Sequence, residues 1–397
     1  MVELLGKSKE ELRALCMALG EPAYRGGQVY HALYAERTFE FARMTNLPVT
    51  VRERLEKEAR ITLPEVQQRF VSSDGSVRYL FGLSGSEEKT FNAEDTEKRE
   101  STKKSGEKSA RAKPAVAVET VFMPSEGRQT ICISTQAGCA VDCHFCLTAQ
   151  LGLLRNLTAG EIVAQVLVAL EAQGDKENAS RLKPGQTRNA VQTNVVLMGQ
   201  GEPLLNFEPV MAALRILLDP GGLGLSPKHV TLSTSGIVPG IERLAREQVR
   251  PKLAISLNAS NDKERDALMP INKKYPLKIL LEACKNYPLR PWEHLTFEYV
   301  MLGDVNDSPD DARRIVQLLA PLKRVKVNLI PWNPGELPYR ESSPEHIEEF
   351  RRILTDKGVP AFVRYSRGRD VMAACGQLAL KEVHRSPLPV LGNNLQA

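Results

Sequence analysis

Three of the seven cysteines fall within eight residues, in C-A-V-D-C-H-F-C, as Cys139, Cys143 and Cys146. Thiolates this close on one loop can wrap a single soft-metal centre. A closed structural zinc site wants four ligands, and the only neighbour able to complete one is His144, strained between two of them. An iron–sulfur cube instead accepts three protein thiolates and leaves one iron open to a small molecule. Both readings stand on these residues alone. Cys132 and Cys375 lie apart from the cluster, and buried inert thiols are common. Gly376, beside Cys375 in A-A-C-G-Q-L, lets the chain turn sharply and leave that thiol accessible. A thiolate can attack an electrophilic methyl group, and two cysteines can share the electrons that release a thioether-bound product. Cys16 and Cys284 sit on apolar helical faces and read as packing residues.

Polar groups recur at the ends of apolar runs. Gly199-Gln200-Gly201-Glu202-Pro203 lacks the third glycine of a dinucleotide fingerprint, yet Gly201 exposes backbone and Glu202 can hold a cationic amino group. Ser233 in L-S-T-S-G, Ser256, Leu257 and Asn258 in S-L-N-A, and Asn333 in I-P-W-N-P place hydroxyl, backbone and amide groups where a nucleoside-like ligand could bond. Each alone also reads as a turn or cap residue.

The elements that must position these groups alternate. Apolar strand-like runs are predicted at 131–135, 193–199, 229–234, 252–258, 295–301, 325–331 and 359–365. Amphipathic helices are predicted near 160–172, 207–218, 239–248, 276–286, 309–320 and 344–356. The repeat predicts an α/β fold, an incomplete parallel (β/α)6 barrel whose post-strand loops converge at one end, where Cys139, Gly201, Ser233, Asn258 and Asn333 arrive. An open doubly wound sheet would use the same connectivity. Residues 1–62 read as a small helical domain: Ser8 caps with Glu11, the apolar face of Leu12, Leu15, Cys16 and Leu19 follows, and Gly26-Gly27 breaks the pattern. Residues 63–93 read as a short strand-rich linker, and 114–397 as the barrel with its C-terminal cysteine segment. Residues 94–113 hold seven basic and five acidic side chains and nothing apolar larger than Ala, so they read as a mobile insertion; 173–190 reads as a shorter one.

Across 397 residues, 42% hydrophobic and 25% charged excludes a disordered tail, a small disulfide scaffold and a collagen rod. A net charge of +5 permits a polyanionic partner without demanding one. Sparse cysteines, a charged amphipathic start and no apolar run of membrane length predict a cytoplasmic protein with no membrane partner. Arg364, Arg367 and Arg369, just before Cys375, offer cations for phosphate.

C-x3-C-x2-C with Phe145 before its last cysteine resembles the signature of the radical S-adenosylmethionine enzymes. Five further segments narrow the likeness: E-T-V-F-M-P at 119–124, C-I-S-T-Q-A-G-C at 132–139, G-E-P-L-L-N at 201–206, L-M-P-I-N-K-K-Y-P-L at 268–277 and R-G-R-D-V-M-A-A-C-G-Q-L at 367–378. Together they are similar to the RlmN/Cfr family of RNA methyltransferases, over nearly the whole chain. The resemblance implies one [4Fe-4S] cluster on Cys139, Cys143 and Cys146, with S-adenosylmethionine on its open iron held by Gly201, Glu202, Ser233, Ser256, Leu257, Asn258 and Asn333. It implies methylation of adenine C2 in 23S rRNA and in tRNA beside the anticodon, consuming two S-adenosylmethionine molecules. Cys375 would carry the methyl group into a transient protein–RNA thioether, Cys132 would release it by forming a disulfide, and Glu119 would accept the C2 proton. An electron donor such as flavodoxin or ferredoxin and a monomeric state are implied too. The 94–113 insertion is extra to the family pattern, and Asn258 stands where the family usually has His. Methylation at C8 and a non-catalytic metal-binding RNA adaptor are the alternatives.

Overall fold

The computed structural model describes residues 1–83, 116–173 and 191–378. The charged stretch 94–113 lies outside these, as does 174–190, nearly all of the second polar stretch. The N-terminal unit comprises β1 (Val2–Glu3), α1 (Lys9–Ala18), α2 (Tyr24–Tyr34), α3 (Val49–Glu58) and β2 (Ala59–Arg60), with β1 and β2 paired in parallel. Ser8 and Glu11 close a capping box on α1, as their spacing predicts. Gly26-Gly27 does not break the helix; α2 runs through both. A Cβ on Gly26 would lie 2.3 Å from the Arg13 nitrogen, so the glycine lets α1 and α2 touch backbone to backbone. The break falls earlier, at Gly20, whose φ of +75° suits only a residue without side-chain strain there.

The next elements are β3 (Glu65–Val71), β4 (Val77–Leu83), β5 (Val116–Ser125), β6 (Arg128–Cys132), β7 (Gln136–Gly138), α4 (Leu147–Gln150), β8 (Leu153–Asn156) and α5 (Ala159–Ala172). Then come β9 (Gln192–Leu197), α6 (Phe207–Leu218), β10 (Val230–Thr234), α7 (Val238–Ala245), β11 (Lys252–Ser256) and α8 (Asp262–Leu268). The chain continues through α9 (Leu277–Lys285), β12 (Leu295–Met301), α10 (Pro309–Leu319), β13 (Val325–Pro331), α11 (Pro344–Asp356) and β14 (Ala361–Val363). One ten-stranded sheet runs in the order β14-β13-β12-β11-β10-β9-β6-β5-β4-β3. From β6 to β14 every pairing is parallel, the product of repeated strand–helix units; β5, β4 and β3 extend the sheet antiparallel. The strand-rich stretch is therefore part of the main sheet rather than a separate connector.

Edges β14 and β3 do not pair, so the barrel stays open. The segment after β14 crosses that opening. Asp370 accepts from Ser72 Oγ at 2.6 Å and Ser73 N at 3.0 Å, Gly368 N donates to Asp74 Oδ2 at 3.0 Å, and Leu147 N donates to Gly376 O at 2.8 Å. These bonds tie 368–376 to the β3–β4 turn and to α4, and so decide where Cys375 stands. Strand alternation sends every second side chain of β6 and β9–β13 into the open interior, while the others join the core with α5–α11. Among the described residues no helix is long and apolar enough to cross a membrane.

Candidate active site

At the C-terminal ends of the strands an open cleft of ≈1010 Å³ is lined by Cys139, Cys143 and Cys146 together with Gly201, Glu202, Ser233, Ser256, Asn258, Asn333 and Cys375. The loop rule for parallel barrels thus brings nearly all of the polar groups noted above to one place. Leu257 is the exception. Alternation turns its fully buried side chain into the core, and only its backbone serves the site, donating to Glu298 O at 2.9 Å and accepting from Arg265 Nε at 3.0 Å.

The cysteine loop is shaped by its glycines and by neighbouring turns. Gly138 has φ +73° and lies so close to the Gly152 carbonyl that a Cβ would come within 1.8 Å of its oxygen. Cys139 N donates to that carbonyl at 3.0 Å, and His144 N to Leu268 O at 3.0 Å. His144 is half-exposed with its Nε2 3.7 Å from Asp142, and it forms no single-ion group with the cysteines. Among the described residues no three His, Cys, Asp or Glu side chains converge where one ion could sit. Burial raises all three thiols, Cys139 to about 12 and Cys143 well above its ordinary value, with Cys146 and Cys139 adding repulsion at Cys143. Such thiols yield their protons to a cation rather than to water. Three half-buried sulfurs that line one cleft without converging on a single-ion site suit a cluster of several irons better than one ion, and Asn333 Oδ1, buried without a partner, leaves an acceptor for a bound nucleoside. The residues fit an iron–sulfur cluster with a small molecule beside it.

Glu202 and Gly201 are held from several sides. Glu202 N donates to Gln136 Oε1 at 2.8 Å; its carboxylate accepts from Ser235 N at 2.7 Å, Ser235 Oγ at 2.8 Å and Leu204 N at 3.1 Å. Burial still holds its proton affinity above the usual carboxylate range. Gly201 has φ +101°, and a Cβ there would meet Gln136 Cβ at 2.5 Å. Asn258 adopts φ +56°, a conformation Asn tolerates better than most residues. Its Oδ1 accepts from Val300 N at 2.9 Å and its Nδ2 points to Met269 Sδ at 3.3 Å. Asn333 Nδ2 donates to Ser366 Oγ at 2.9 Å and approaches the Cys375 carbonyl at 3.4 Å.

Sequence reasoning missed Arg265 and Ser235. Arg265 is fully buried and donates to Ser235 O at 2.7 Å, Ser256 O at 3.0 Å, Leu257 O at 3.0 Å and Asn272 Oδ1 at 3.0 Å. It ties the ends of β10 and β11 together beneath the cysteine loop, and burial lowers its pKa to about 10. The L-M-P-I-N segment supplies the bracket: Leu268 O holds the cysteine loop, Met269 meets Asn258 and Asn272 orients Arg265. The motif was visible, but its target was 7 residues upstream and across a turn.

A second, larger cleft of ≈1810 Å³ opens toward the N-terminal strand ends and includes Cys132, Met198, Glu298, Ile330 and Cys375 in its walls. Met198, Glu298, Ile330 and Cys375 line the first cleft too, so the two meet there. Cys375 is exposed, with its open side toward these clefts; surrounding protein, then Glu298 and Cys146, push its thiol up to about 11. Cys132 is buried, its proton affinity raised by burial and next by Cys375. All seven cysteines are free, so the pair forms no disulfide here: Cys132 is anchored on β6 while Cys375 rides on the crossing segment. Glu119 lies on β5, two residues from Val121, the strand partner of Cys132. It lines neither cleft; it forms a buried ion pair with Arg78 and accepts from Gln200 Nε2 at 3.2 Å.

Residues 2–61 match the model of the ribosomal RNA large subunit methyltransferase N-terminal domain, and residues 186–319 that of the radical SAM superfamily. The chain is 47% identical over 382 residues to the probable dual-specificity RNA methyltransferase RlmN of Koribacter versatilis, covering 92% of this chain and 98% of that one. This chain belongs to the RlmN family of radical S-adenosylmethionine RNA methyltransferases. The dual-specificity RNA methyltransferase RlmN of Cereibacter sphaeroides is 42% identical over 384 residues, with 95% and 89% covered. A crystal structure of a radical SAM methyltransferase from Sphaerobacter thermophilus superposes with a TM-score of 0.79 at 38% identity, covering 95% of this chain and 99% of that one. Family membership explains why so much of the site is built for a cluster: three thiols of one loop stand beside strand ends already stripped of side-chain bulk at Gly201.

Proposed function

We propose that this RlmN-family enzyme methylates C2 of an adenosine in 23S rRNA, and in tRNA beside the anticodon, by way of methylated Cys375. The observation that carries this reading is the place of Cys375 at the junction of two clefts, one walled by the three-cysteine loop and the other by Cys132 and a set of cations. Adenine C2 lies between two ring nitrogens and is electron-poor, so it does not attack a sulfonium methyl group; a carbon radical avoids that mismatch. Cys139, Cys143 and Cys146 hold the cluster, which, when bound with S-adenosylmethionine, supplies a radical able to take hydrogen from a methyl group.

The chain's own residues do the rest. Cys375 loses its proton and displaces the sulfonium: an S–CH3 bond forms on Cys375 as the sulfonium–CH3 bond breaks and S-adenosylhomocysteine leaves. Gly201, Glu202, Ser233, Ser256, Asn258 and Asn333 orient the nucleoside and its amino acid, and the Leu257 backbone holds them in register. Once the methylated cysteine carbon is joined to C2, Cys132 attacks the Cys375 sulfur: an S–S bond forms as the S–CH2 bond breaks, and the freed carbon keeps the electron pair and takes a proton to become the methyl group. Glu119 takes the C2 proton; both its oxygens are engaged by Arg78 and Gln200, so this role requires one of them to yield. Flavodoxin or ferredoxin supplies the electron, and the enzyme acts in the cytoplasm as a monomer. Anaerobic reconstitution followed by nucleoside mass spectrometry tests the reading: 2-methyladenosine in ribosomal and transfer RNA is expected, and Cys375→Ala abolishes it. Formation of 8-methyladenosine, or full methylation by the Cys375→Ala protein, overturns it.

A further inference from the structure

In parallel barrels the N-terminal strand ends serve mainly stability. Here they form a cationic face. The loops leading into β10, β11, β12 and β13 each bring basic side chains, Lys228, Arg250, Arg290, and Lys323 with Arg324, while Lys252 opens β11 and Lys326 follows in β13. Lys228, Lys252 and Lys326 line the larger cleft with Cys132 and Cys375, and the one carboxylate in that lining is Glu298. Among the described residues none of these three lysines has a salt-bridge partner.

The hydrogen bonds of the arginines run mainly to backbone carbonyls rather than to carboxylates. Arg290 Nη2 donates to Arg250 O at 2.7 Å, Arg324 Nη1 to Arg290 O at 2.6 Å, and Arg250 Nη1 to Ala245 O at 3.0 Å, with Nη2 on Pro288 O. Backbone carbonyls fix the guanidinium groups in place but carry no net charge, and Glu293, 3.6 Å from Arg290, is the one acidic partner of the three. Burial, and then like charge nearby, lowers the proton affinity of Lys252, beside Lys326, and of Lys326, beside Arg364. Cations crowded together in this way gain by binding an anion.

Trp292 stands on the same rim. It is 36% exposed, with the Lys228 ammonium and the Arg290 guanidinium each 5.4 Å from its ring centroid. A partly open indole beside two cations suits an unpaired nucleobase, whose face stacks on the ring while the cations meet the flanking phosphates.

Resting on the reading of the enzyme as an RNA methyltransferase, we propose that this face is the track of the substrate strand: Lys228, Lys252 and Lys326 carry phosphates into the larger cleft, and Trp292 stacks a base neighbouring the adenosine that reaches Cys375. An acidic electron-transfer protein is the competing occupant.

The test uses reconstituted holoenzyme, a 23S rRNA stem-loop fragment and reduced flavodoxin. RNA affinity is measured as a function of salt for the native protein, Lys252→Gln/Lys326→Gln, Trp292→Ala and Trp292→Phe. The double lysine variant is expected to lower the slope of log affinity against log salt by about 1.4, at about 0.7 for each single-stranded phosphate left without its cation. Trp292→Ala should weaken binding roughly ten-fold with the salt slope unchanged, and Trp292→Phe should restore most of it. Methylation of Cys375 by S-adenosylmethionine, read by mass spectrometry of the isolated proteins, verifies an intact site in each variant.

Native affinity and slope in variants that still methylate Cys375 would overturn the proposal while native RNA methylation kept the functional reading intact. Slower reduction by flavodoxin with RNA binding unchanged would assign the face to the electron donor and overturn it as well. If the variants lose Cys375 methylation, single Lys252→Gln, with an expected slope change of about 0.7, decides the matter. Native holoenzyme that neither binds nor methylates the RNA would sink the functional reading itself.

Discussion

The two ends of the open barrel draw on the same strands and differ in how they treat charge. At the C-terminal end, Glu202 is buried and bonded inward beside three half-buried thiols, and Arg265 beneath them is enclosed by carbonyls. At the N-terminal end, Lys228, Lys252 and Lys326 form no salt bridge among the described residues and line an open cleft whose one carboxylate is Glu298. The first end fixes its polar groups through internal hydrogen bonds; the second presents a net positive field suited to something large and anionic. Cys375 belongs to both walls, because it is carried by a segment that is not part of either end.

That contrast can be broken most severely at the cysteine loop. Cys143→Ala should prevent cluster assembly and abolish RNA methylation, read by iron content and nucleoside mass spectrometry, while leaving the salt dependence of RNA binding at the other end unchanged. An altered salt slope would show the ends to be coupled.

Arg265→Met removes a fully buried guanidinium and leaves three carbonyls and Asn272 without their donor. A loss of about 3–5 kcal/mol in denaturant unfolding is expected. Arg265→Lys should lose less, since an ammonium reaches some of the same acceptors. Equal and small losses in both would mean the bracket is not what holds β10 and β11.

Cys375 offers a pH test of its shared position. With its thiol pushed up to about 11, it is protonated at neutral pH, and the reactive thiolate grows with pH until that value is passed. Alkylation of Cys375 in the cluster-free protein, followed by peptide mass spectrometry, should therefore accelerate about ten-fold per pH unit between about 7 and 9. A rate already level by about pH 8 would show that Glu298, Cys146 and the surrounding protein do not hold the thiol protonated.

The smallest effect is expected at the strap. Asp370→Asn weakens charge-assisted bonds to Ser72 and Ser73 on an exposed turn, so stability should fall by only about 1 kcal/mol. Proteolysis after residue 364 should nevertheless quicken, because these bonds dock the segment that bears Cys375.

Periodicity alone placed the seven parallel strands and six of the helices between them within a few residues but not the helix Asp262–Leu268, and the Ser8–Glu11 box was legible from its spacing. Periodicity misled at Gly26-Gly27: glycine is usually a helix breaker, but close approach to α1 rewards its missing side chain. Arg265 was hidden for another reason. No helix was predicted over Asp262–Leu268, and nothing in its charged residues marks one of them as buried until the fold brings four acceptors to it.

What the sequence determined by itself were features set by covalent proximity and local pattern: three thiols on one short loop, the strand–helix repeat, and polar residues at strand ends. Tertiary structure alone decided that Cys132 and Cys375 share a wall, that the strand-rich stretch anchors the strap, and that basic residues far apart in the chain form one face. Those relations depend on sheet order, register and the failure of β3 to meet β14, which bring distant residues together through many weak interactions rather than through any short stretch of chain.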